Sequence, residues 1–370
     1  MPHSSSLTSV NADGPTRANS YAMERFCDHS GNGGSVDNKL AAVTLGLQTR
    51  GEVVEELRET SMAWVFLTRH HVYKMKKPIR RRIFDFRTLA SRHHACREEV
   101  RLNRRLAPDV YLGLTRLARS KGGPLILDGP GRTVEWLVRL RRLPADRFLD
   151  QVIATGKPRR EEIVVLTDLL TRFHAERAVA TVDRQTYIDR YRDELIGIRS
   201  LLPNPVFAET ARRFGRLCDL LETLLNRASE VIPERLAKGK VVDGHGDLRP
   251  EHVWLGPPVL IIDSLEAAPA FRALDPFEEY ATLAMECAVL GADWIGPALL
   301  TRAAAALGDN PGARLLAFYT AFRATLRARQ ALAHLLDPSP RTPGKWGPQA
   351  DRYLIEAERA AAILENAKVR

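Results

Sequence analysis

The rhythm of apolar and polar positions changes once along this chain, near Pro144. Before it, short apolar segments dominate. VVEELRET (53–60), WVFLTR (64–69) and VYKMKK (72–77) read as three extended segments in series. His70–His71 forms a turn between the last two, and Pro78, which has no N–H for a ladder, closes the run. LAAVTLGL (41–48) reads as a short helix. From about Arg87 to Leu106, apolar residues Leu89, Ala95, Cys96, Val100, Leu102 and Leu106 recur at mostly helical offsets. Extended segments return at 111–118, 124–128 and 133–143. Three strands, a helix and three strands predict an α+β unit around an antiparallel sheet. Beyond Pro144 the pattern is helical, with helices expected at 146–155, 159–177, 185–201, 204–228, 276–291, 312–336 and 347–367. One strand–loop–strand block interrupts them at about 240–263, and DPSPRTPGKWGP (337–348) reads as a loop.

Folded sequence is expected to begin near Lys39. Residues 1–38, rich in Ser, Asn, Asp and Gly, read as a flexible tail, 39–143 as a smaller unit and 144–370 as a larger one. The 370 residues are 45% hydrophobic and 27% charged, which suits a globular protein and excludes collagen-like and disulfide-scaffold classes. Cys27, Cys96, Cys218 and Cys287 are far apart and form no CxxC pair. That argues against a zinc site or disulfide framework and for a reducing compartment, the cytoplasm. There is no apolar run of about 18 residues, so no membrane span is expected.

The formal net charge of +10 favours anionic partners. The basic run KKPIRRR (76–82) has no interleaved aromatic residues and belongs to no nucleic-acid-binding module. It reads as a solvated or phosphate-steering rim rather than a nucleic-acid interface. Oligomeric state is not set by the sequence.

Chemistry concentrates in VVDGHGDLRPEHVWLGPPVLIIDS (241–264). His245, Asp247, Glu251 and His252 crowd a polar loop, and Asp263 ends the apolar run that follows. Two carboxylates on neighbouring strand ends can converge on one divalent cation. One can orient a hydroxyl while the other holds metal and phosphate, as phosphoryl transfer requires.

HGDLRPEHV resembles the catalytic loop, HGDxxxxN, of aminoglycoside phosphotransferases and their protein-kinase-like relatives, and IIDS resembles the metal-binding strand that follows it. The resemblance spans about residues 50–330 and implies a bilobed kinase-like fold: a small antiparallel-sheet lobe and a larger, mostly helical lobe. It implies an ATP- and Mg²⁺-dependent kinase acting on a hydroxyl of a small molecule, with Asp247 as the base and Asp263 as the metal ligand. In that fold a lysine on the third strand contacts phosphate. Period-two alternation puts Lys74 and Lys76 on one face of VYKMKK, with Lys74 preferred and Lys76 in reserve. The helix after it supplies a glutamate, and Glu99 rather than Glu98 shares a face with Leu106. Backbone groups near Leu140, Arg141 and Arg142 would read the adenine.

Segments such as WVFLTRHHVYKMKKP resemble a bacterial subgroup of predicted phosphotransferases. Some of these are fused to a P-loop kinase domain, but this chain has no GxxxxGK[ST]. The sequence also departs from the pattern in two places. His252 stands where asparagine is expected and is a candidate nitrogen ligand beside Asp263; otherwise Asp263 does most of the metal binding, a second metal is lost, or His252 binds phosphate. ETSMAW (59–64) replaces a glycine-rich loop, leaving Thr60 and Ser61 as substitute phosphate donors. These departures motivate an alternative, a nucleotide-binding pseudokinase or regulatory module of the same fold.

His245 is expected to brace the loop and His174 to pack in a helix. Asp275, Pro276 and Glu278 read as a helix start close to a capping box. Arg323 and Arg327, four residues apart, either line the cleft or pair with acids.

Overall fold

The computed structural model describes residues 33–366 apart from 82–83, 228–230, 338 and 341. Helix α1 (Gly33–Gln48) leads into strands β1 (Val54–Glu59), β2 (Ala63–Thr68) and β3 (His71–Lys76). A two-residue hairpin, β4 (Arg80–Arg81) with β5 (Phe84–Asp85), precedes helix α2 (Leu89–Asn103). Strands β6 (Tyr111–Arg119), β7 (Leu125–Leu127) and β8 (Arg132–Arg141) complete the smaller lobe. Six of these strands form one antiparallel sheet in the order β1-β2-β3-β8-β6-β7.

Alternation along each strand decides which residues reach which face. Tyr73, Met75 and Leu137 point to one face, where they pack with Phe66, Leu117 and Leu127 against Val43 and Leu47 of α1. Val138 and Leu140 point to the other and pack against Cys96 and Val100 of α2, together with Phe148 and Trp254 of the larger lobe. Thr88 caps α2 by accepting from the Ser91 N–H. The sheet is thus covered on both sides, and the face that carries Lys74 and Lys76 is the one turned toward α2 and the larger lobe.

That lobe contains α3 (Leu149–Ala154), α4 (Arg160–Ala175), α5 (Arg184–Leu201), α6 (Ala211–Arg227) and α7 (Val231–Ala237). Four short strands follow, β9 (Val242–Asp243), β10 (Val253–Trp254), β11 (Leu260–Ile261) and β12 (Ala273–Leu274). The chain ends with α8 (Pro276–Val289), α9 (Ile295–Leu307), α10 (Gly312–Ala333) and α11 (Pro343–Asn366). Its core is one large cluster drawn from almost all of these helices. The bilobed α+β architecture expected from the sequence is the observed one.

Several boundaries differ. α1 begins at Gly33, before the expected start at Lys39, and Lys39 anchors it by an ion pair of 2.8 Å to Glu135. The expected tail otherwise lies outside the described residues, as does Cys27. α9 was not expected, because its ALLTRAAAAL stretch lacks the polar–apolar contrast that marks a helix. α11 begins inside the segment expected to be a loop. Pro343 fits a first helical turn, where its missing N–H has no intrahelical role, and buried Trp346 stacks on His334 at 3.9 Å. Asp275 and Pro276 do start α8, but the Glu278 side chain does not close a capping box. It turns inward to Arg190, Tyr191 and Arg323.

The basic run 76–82 is not a continuous solvated rim. Lys76 is buried in an ion-pair cluster, Arg80 and Arg81 form β4, and Arg82 lies outside the described residues. Cys96, Cys218 and Cys287 are buried free thiols. Among the described residues no helix is long and apolar enough to cross a membrane.

Candidate active site

Lys74 and Lys76 leave β3 on the same face and meet carboxylates from three elements. Lys74 Nζ lies 2.6 Å from Asp263 Oδ1 and 3.3 Å from Glu99 Oε1. Lys76 Nζ lies 2.7 Å from Glu99 Oε2 and 2.6 Å from Glu266 Oε1. Glu99, only 2% exposed, is the inward glutamate of α2, while Glu98 pairs with Arg101 on the surface. Burial works against the charge on both lysines. Asp263 and Glu99 around Lys74, and Glu266 and Glu99 around Lys76, outweigh it and raise both well above the ordinary lysine value. The same balance acts on the acids: burial pushes the Glu99 carboxyl up, and Lys76 and Lys74 bring it below its ordinary value. Glu266 is raised, because burial and the neighbouring Glu99 exceed the pull of Lys76.

The loop between β9 and β10 carries Asp247. Gly246 has φ +87°, and a Cβ there would come within 3.0 Å of Arg272 Cγ and Leu265 Cβ, so the turn requires glycine. Glu279 of α8 holds the turn from below. Its Oε1 accepts from the Gly246 N–H at 2.6 Å and its Oε2 from the His245 N–H at 3.2 Å. His174 of α4 contacts Glu279 Oε2 at 2.8 Å through Nε2 and the Tyr280 hydroxyl through Nδ1. Burial raises the Glu279 carboxyl, but the His174 bond and nearby charges bring it down to about 2. His245 accepts from the Asp247 N–H through Nδ1 and donates from Nε2 to the Ile262 carbonyl, 3.0 Å away. Burial lowers its pKa to about 4, so it is a neutral brace, as its position in the loop suggested.

Asp247 and Asp263 meet at His252. Asp247 Oδ2 lies 3.7 Å from His252 Nδ1, and Asp263 Oδ2 lies 3.6 Å from His252 Nε2. Asp263 sits at φ +66°, a left-handed conformation that Asp tolerates better than most residues, and its N–H donates to the Tyr111 hydroxyl at 3.1 Å. Burial raises its carboxyl, but Lys74 holds it far below the ordinary aspartate value. Lys74, Asp263, His252 and Asp247 thus form a chain across the lobe boundary, each within 4 Å of the next.

His252 is not placed as a nitrogen ligand. Arg249 Nη2 lies 3.1 Å from His252 Nε2, and a guanidinium only donates, so Nε2 accepts. The ring proton then resides on Nδ1 and goes to the Asp247 carbonyl at 2.8 Å. Among the described residues no group of three or more His, Cys, Asp or Glu is placed to hold a metal ion. The donor set still fits a hard cation of the Mg²⁺ kind, which takes one or two carboxylates and completes its shell with water and substrate phosphate.

The expected nucleotide contacts are only partly available. The Thr60 hydroxyl is engaged in its own β1–β2 turn, accepting from the Ala63 N–H at 2.9 Å. The Ser61 Oγ in the same turn is buried with no hydrogen-bond partner among the described residues. Leu140 and Arg141 sit where β8 pairs on both sides, with β3 and with β6 or the chain preceding it. The Arg141 N–H donates to Val110 O and the Arg142 N–H to His70 O, so the ladder engages donors that the sequence reading assigned to the adenine.

No family model matches the chain. Comparison of the whole fold is decisive. A choline kinase from Cryptosporidium parvum superposes with a TM-score of 0.54 at 10% identity, covering 91% of this chain and 97% of that one. A choline kinase from Streptococcus pneumoniae gives 0.52 at 15% identity, covering 89% and 99%. The chain has the protein-kinase-like fold. Curated relatives are 31% identical over 323 residues, an uncharacterized protein of Mycobacterium tuberculosis and its counterpart in Mycobacterium bovis. The match takes in 85% of this chain and 61% of theirs, so the chain spans about three fifths of the length of these relatives.

Within this kinase-like fold, the contributions of four residues escaped the sequence reading. Glu266 was missed although it follows Asp263 by three residues. Arg249 lies inside the loop motif itself. Glu279 and His174 come from two helices whose pairing no local pattern encodes. Arg323 and Arg327 do both things expected of them, pairing with Glu278 and Glu286 while lining the cleft beside Asp247.

Proposed function

We propose that the protein is a phosphotransferase that moves the γ-phosphoryl group of ATP to a hydroxyl of a small molecule. The observation that supports this is the convergence of Asp247 and Asp263 on His252 beneath Lys74, with Glu99 behind it. Asp247 orients the acceptor hydroxyl and takes its proton. The bond from acceptor oxygen to phosphorus forms as the bond to the β,γ-bridging oxygen breaks, and ADP leaves with the bonding pair. Lys74, held in place by Glu99, binds the α- and β-phosphates, and Ser61 donates from the β1–β2 turn. Asp263 would hold Mg²⁺, whose charge, when bound, offsets that of the phosphates. The chain's own contribution is positioning and charge placement. The two lobes, joined after β8 near Arg142 to Pro144, would enclose the nucleotide.

Incubation with labelled ATP, Mg²⁺ and a metabolite extract tests the reading. Label should pass to a small molecule with the native protein and not with Asp247→Asn. Wild-type transfer by that variant would sink the assignment.

A second reading, a nucleotide-binding pseudokinase, is favoured by one observation. Both ring nitrogens of His252 are engaged within the protein, and Lys74 bonds directly to Asp263. It predicts thermal stabilisation by ATP and Mg²⁺ with no transfer to any acceptor.

A further inference from the structure

Asp247 opens on its far side into a small cleft between the loop and α10. Arg249, Arg323, Arg327 and Arg329 line this cleft, and its acids are Asp247, Glu194 and Glu279. The two sets are not equally available. Glu279 accepts with both oxygens, from Gly246, His245 and His174, and Glu194 holds Arg329 at 3.0 Å. Both Glu279 and Glu194 are thus already engaged within the protein.

The arginines are anchored but not saturated. A guanidinium has five N–H groups. Arg327 directs three of its donor bonds to Glu286, Gln330 and Tyr353. Arg329, 6% exposed, bonds Glu194 through Nη2, and its buried Nε has no hydrogen-bond partner among the described residues. Arg249, 2% exposed, bonds Glu251 and His252 through its two terminal nitrogens. Its Nε stands 3.3 Å from Asp247 Oδ1 without a hydrogen bond. Buried N–H groups left without an acceptor are costly, and planar guanidinium donors suit carboxylate and phosphate oxygens.

We propose that the acceptor carries an oxyanion, a carboxylate or a phosphate ester, beside the hydroxyl that is phosphorylated, and that Arg327 and Arg329 bind it. This rests on reading Asp247 as the base. The oxyanion lies on the α10 side of Asp247, the hydroxyl faces its carboxylate, and the phosphoryl group arrives from the side of Lys74. The proton leaves through Asp247 to water, and the oxyanion itself takes no part in bond making.

Titration calorimetry on the full chain tests this. D-glycerate and glycerol 3-phosphate, a carboxylate and a phosphate on similar hydroxyl-bearing scaffolds, are compared with glycerol and choline, with a non-hydrolysable ATP analogue and Mg²⁺ present. The anionic probes should bind at least about tenfold more tightly than glycerol, and the tighter of the two identifies the oxyanion. The double variant Glu194→Gln/Arg329→Gln removes both charges of one pair and so strands neither. It should weaken that binding about tenfold or more while leaving glycerol unchanged. Arg329→Lys, which keeps the charge but loses the fork, should be intermediate. Preferred binding of choline, or anion binding that the double variant leaves unchanged, overturns the proposal. Anion binding lost in the double variant, with no phosphoryl transfer to any acceptor, leaves the oxyanion site standing but removes the phosphotransferase reading, and with it the assignment of that anion as an acceptor. Transfer to neutral or cationic acceptors alone does the reverse.

Discussion

The two flanks of Asp247 both carry cations, but of different kinds. On the β3 side two lysines meet Glu99, Asp263 and Glu266, and the carboxylates outnumber the ammonium groups. On the α10 side four arginines line the cleft, and Glu194 and Glu279 beside them are already engaged within the protein. A lysine ammonium is a compact point charge that can change partners when a phosphate arrives, whereas a guanidinium fixes direction. The first flank suits a site that exchanges one anion for another, and the second suits a site that reads the shape of an anion. The lesson is that net charge says little about a cleft. What counts is how many donors remain once the protein's own acids have been served.

The comparison can be broken first at its pivot. Asp247→Asn should lower phosphoryl transfer by about 10²–10⁴-fold, with ATP affinity within a factor of about two in calorimetry if base and nucleotide site are separate. The next test separates the two lysines. Lys76→Met leaves Glu266 without its cation, and the melting temperature should fall by an amount corresponding to about 3–5 kcal/mol. Adding Glu266→Gln should recover most of the loss. Lys74→Met should instead weaken ATP binding about 10–100-fold, because its ammonium is the one that faces Asp263. If the two variants behave alike, the division of labour on β3 is wrong.

A smaller effect is expected at the junction of the flanks. His252→Asn frees an oxygen beside Asp263 and should tighten the Mg²⁺ requirement for nucleotide binding about tenfold. An unchanged Mg²⁺ titration would mean that His252 does not limit metal binding.

The smallest concerns the brace. In the folded state Glu279 titrates at about 2 against an ordinary 4.5, so its stabilising contribution is present above 4.5 and is lost as pH falls toward 2. His245 titrates at about 4 against an ordinary 6.5. The unfolded chain binds the extra proton between those values, and stability falls as pH drops from 6.5 to 4. Each contributes a slope of up to about 1.4 kcal/mol per pH unit. Glu279→Gln should flatten the limb below pH 4.5 in thermal denaturation and leave the upper limb in place.

Much of this site was legible because its motifs are local. HGDLRPEHV and IIDS each carry their residue types within a few positions, and alternation on VYKMKK put Lys74 and Lys76 on one face. Glu99 was separable from Glu98 because a helix has only one buried stripe. Other features were not legible. Thr60 looked as available as Ser61, yet a threonine that closes its own turn has no hydroxyl to offer. The sequence does not show that Leu140 pairs with Val72 on one side and Tyr111 on the other, or that the Arg141 N–H goes to Val110 O. Nothing in the sequence says that His174 reaches Glu279 across 105 positions.

The sequence by itself determined the periodic and contiguous features: a sheet-bearing first half, a helical second half, and two acidic motifs at fixed distance. These follow from side-chain spacing along one backbone. Only the tertiary structure decided which charges face each other and which are already paired. Ion pairs between β3, α2, the Asp263 strand end and α10 depend on packing elements far apart in the chain, and a donor left over in that packing has no trace in the order of residues.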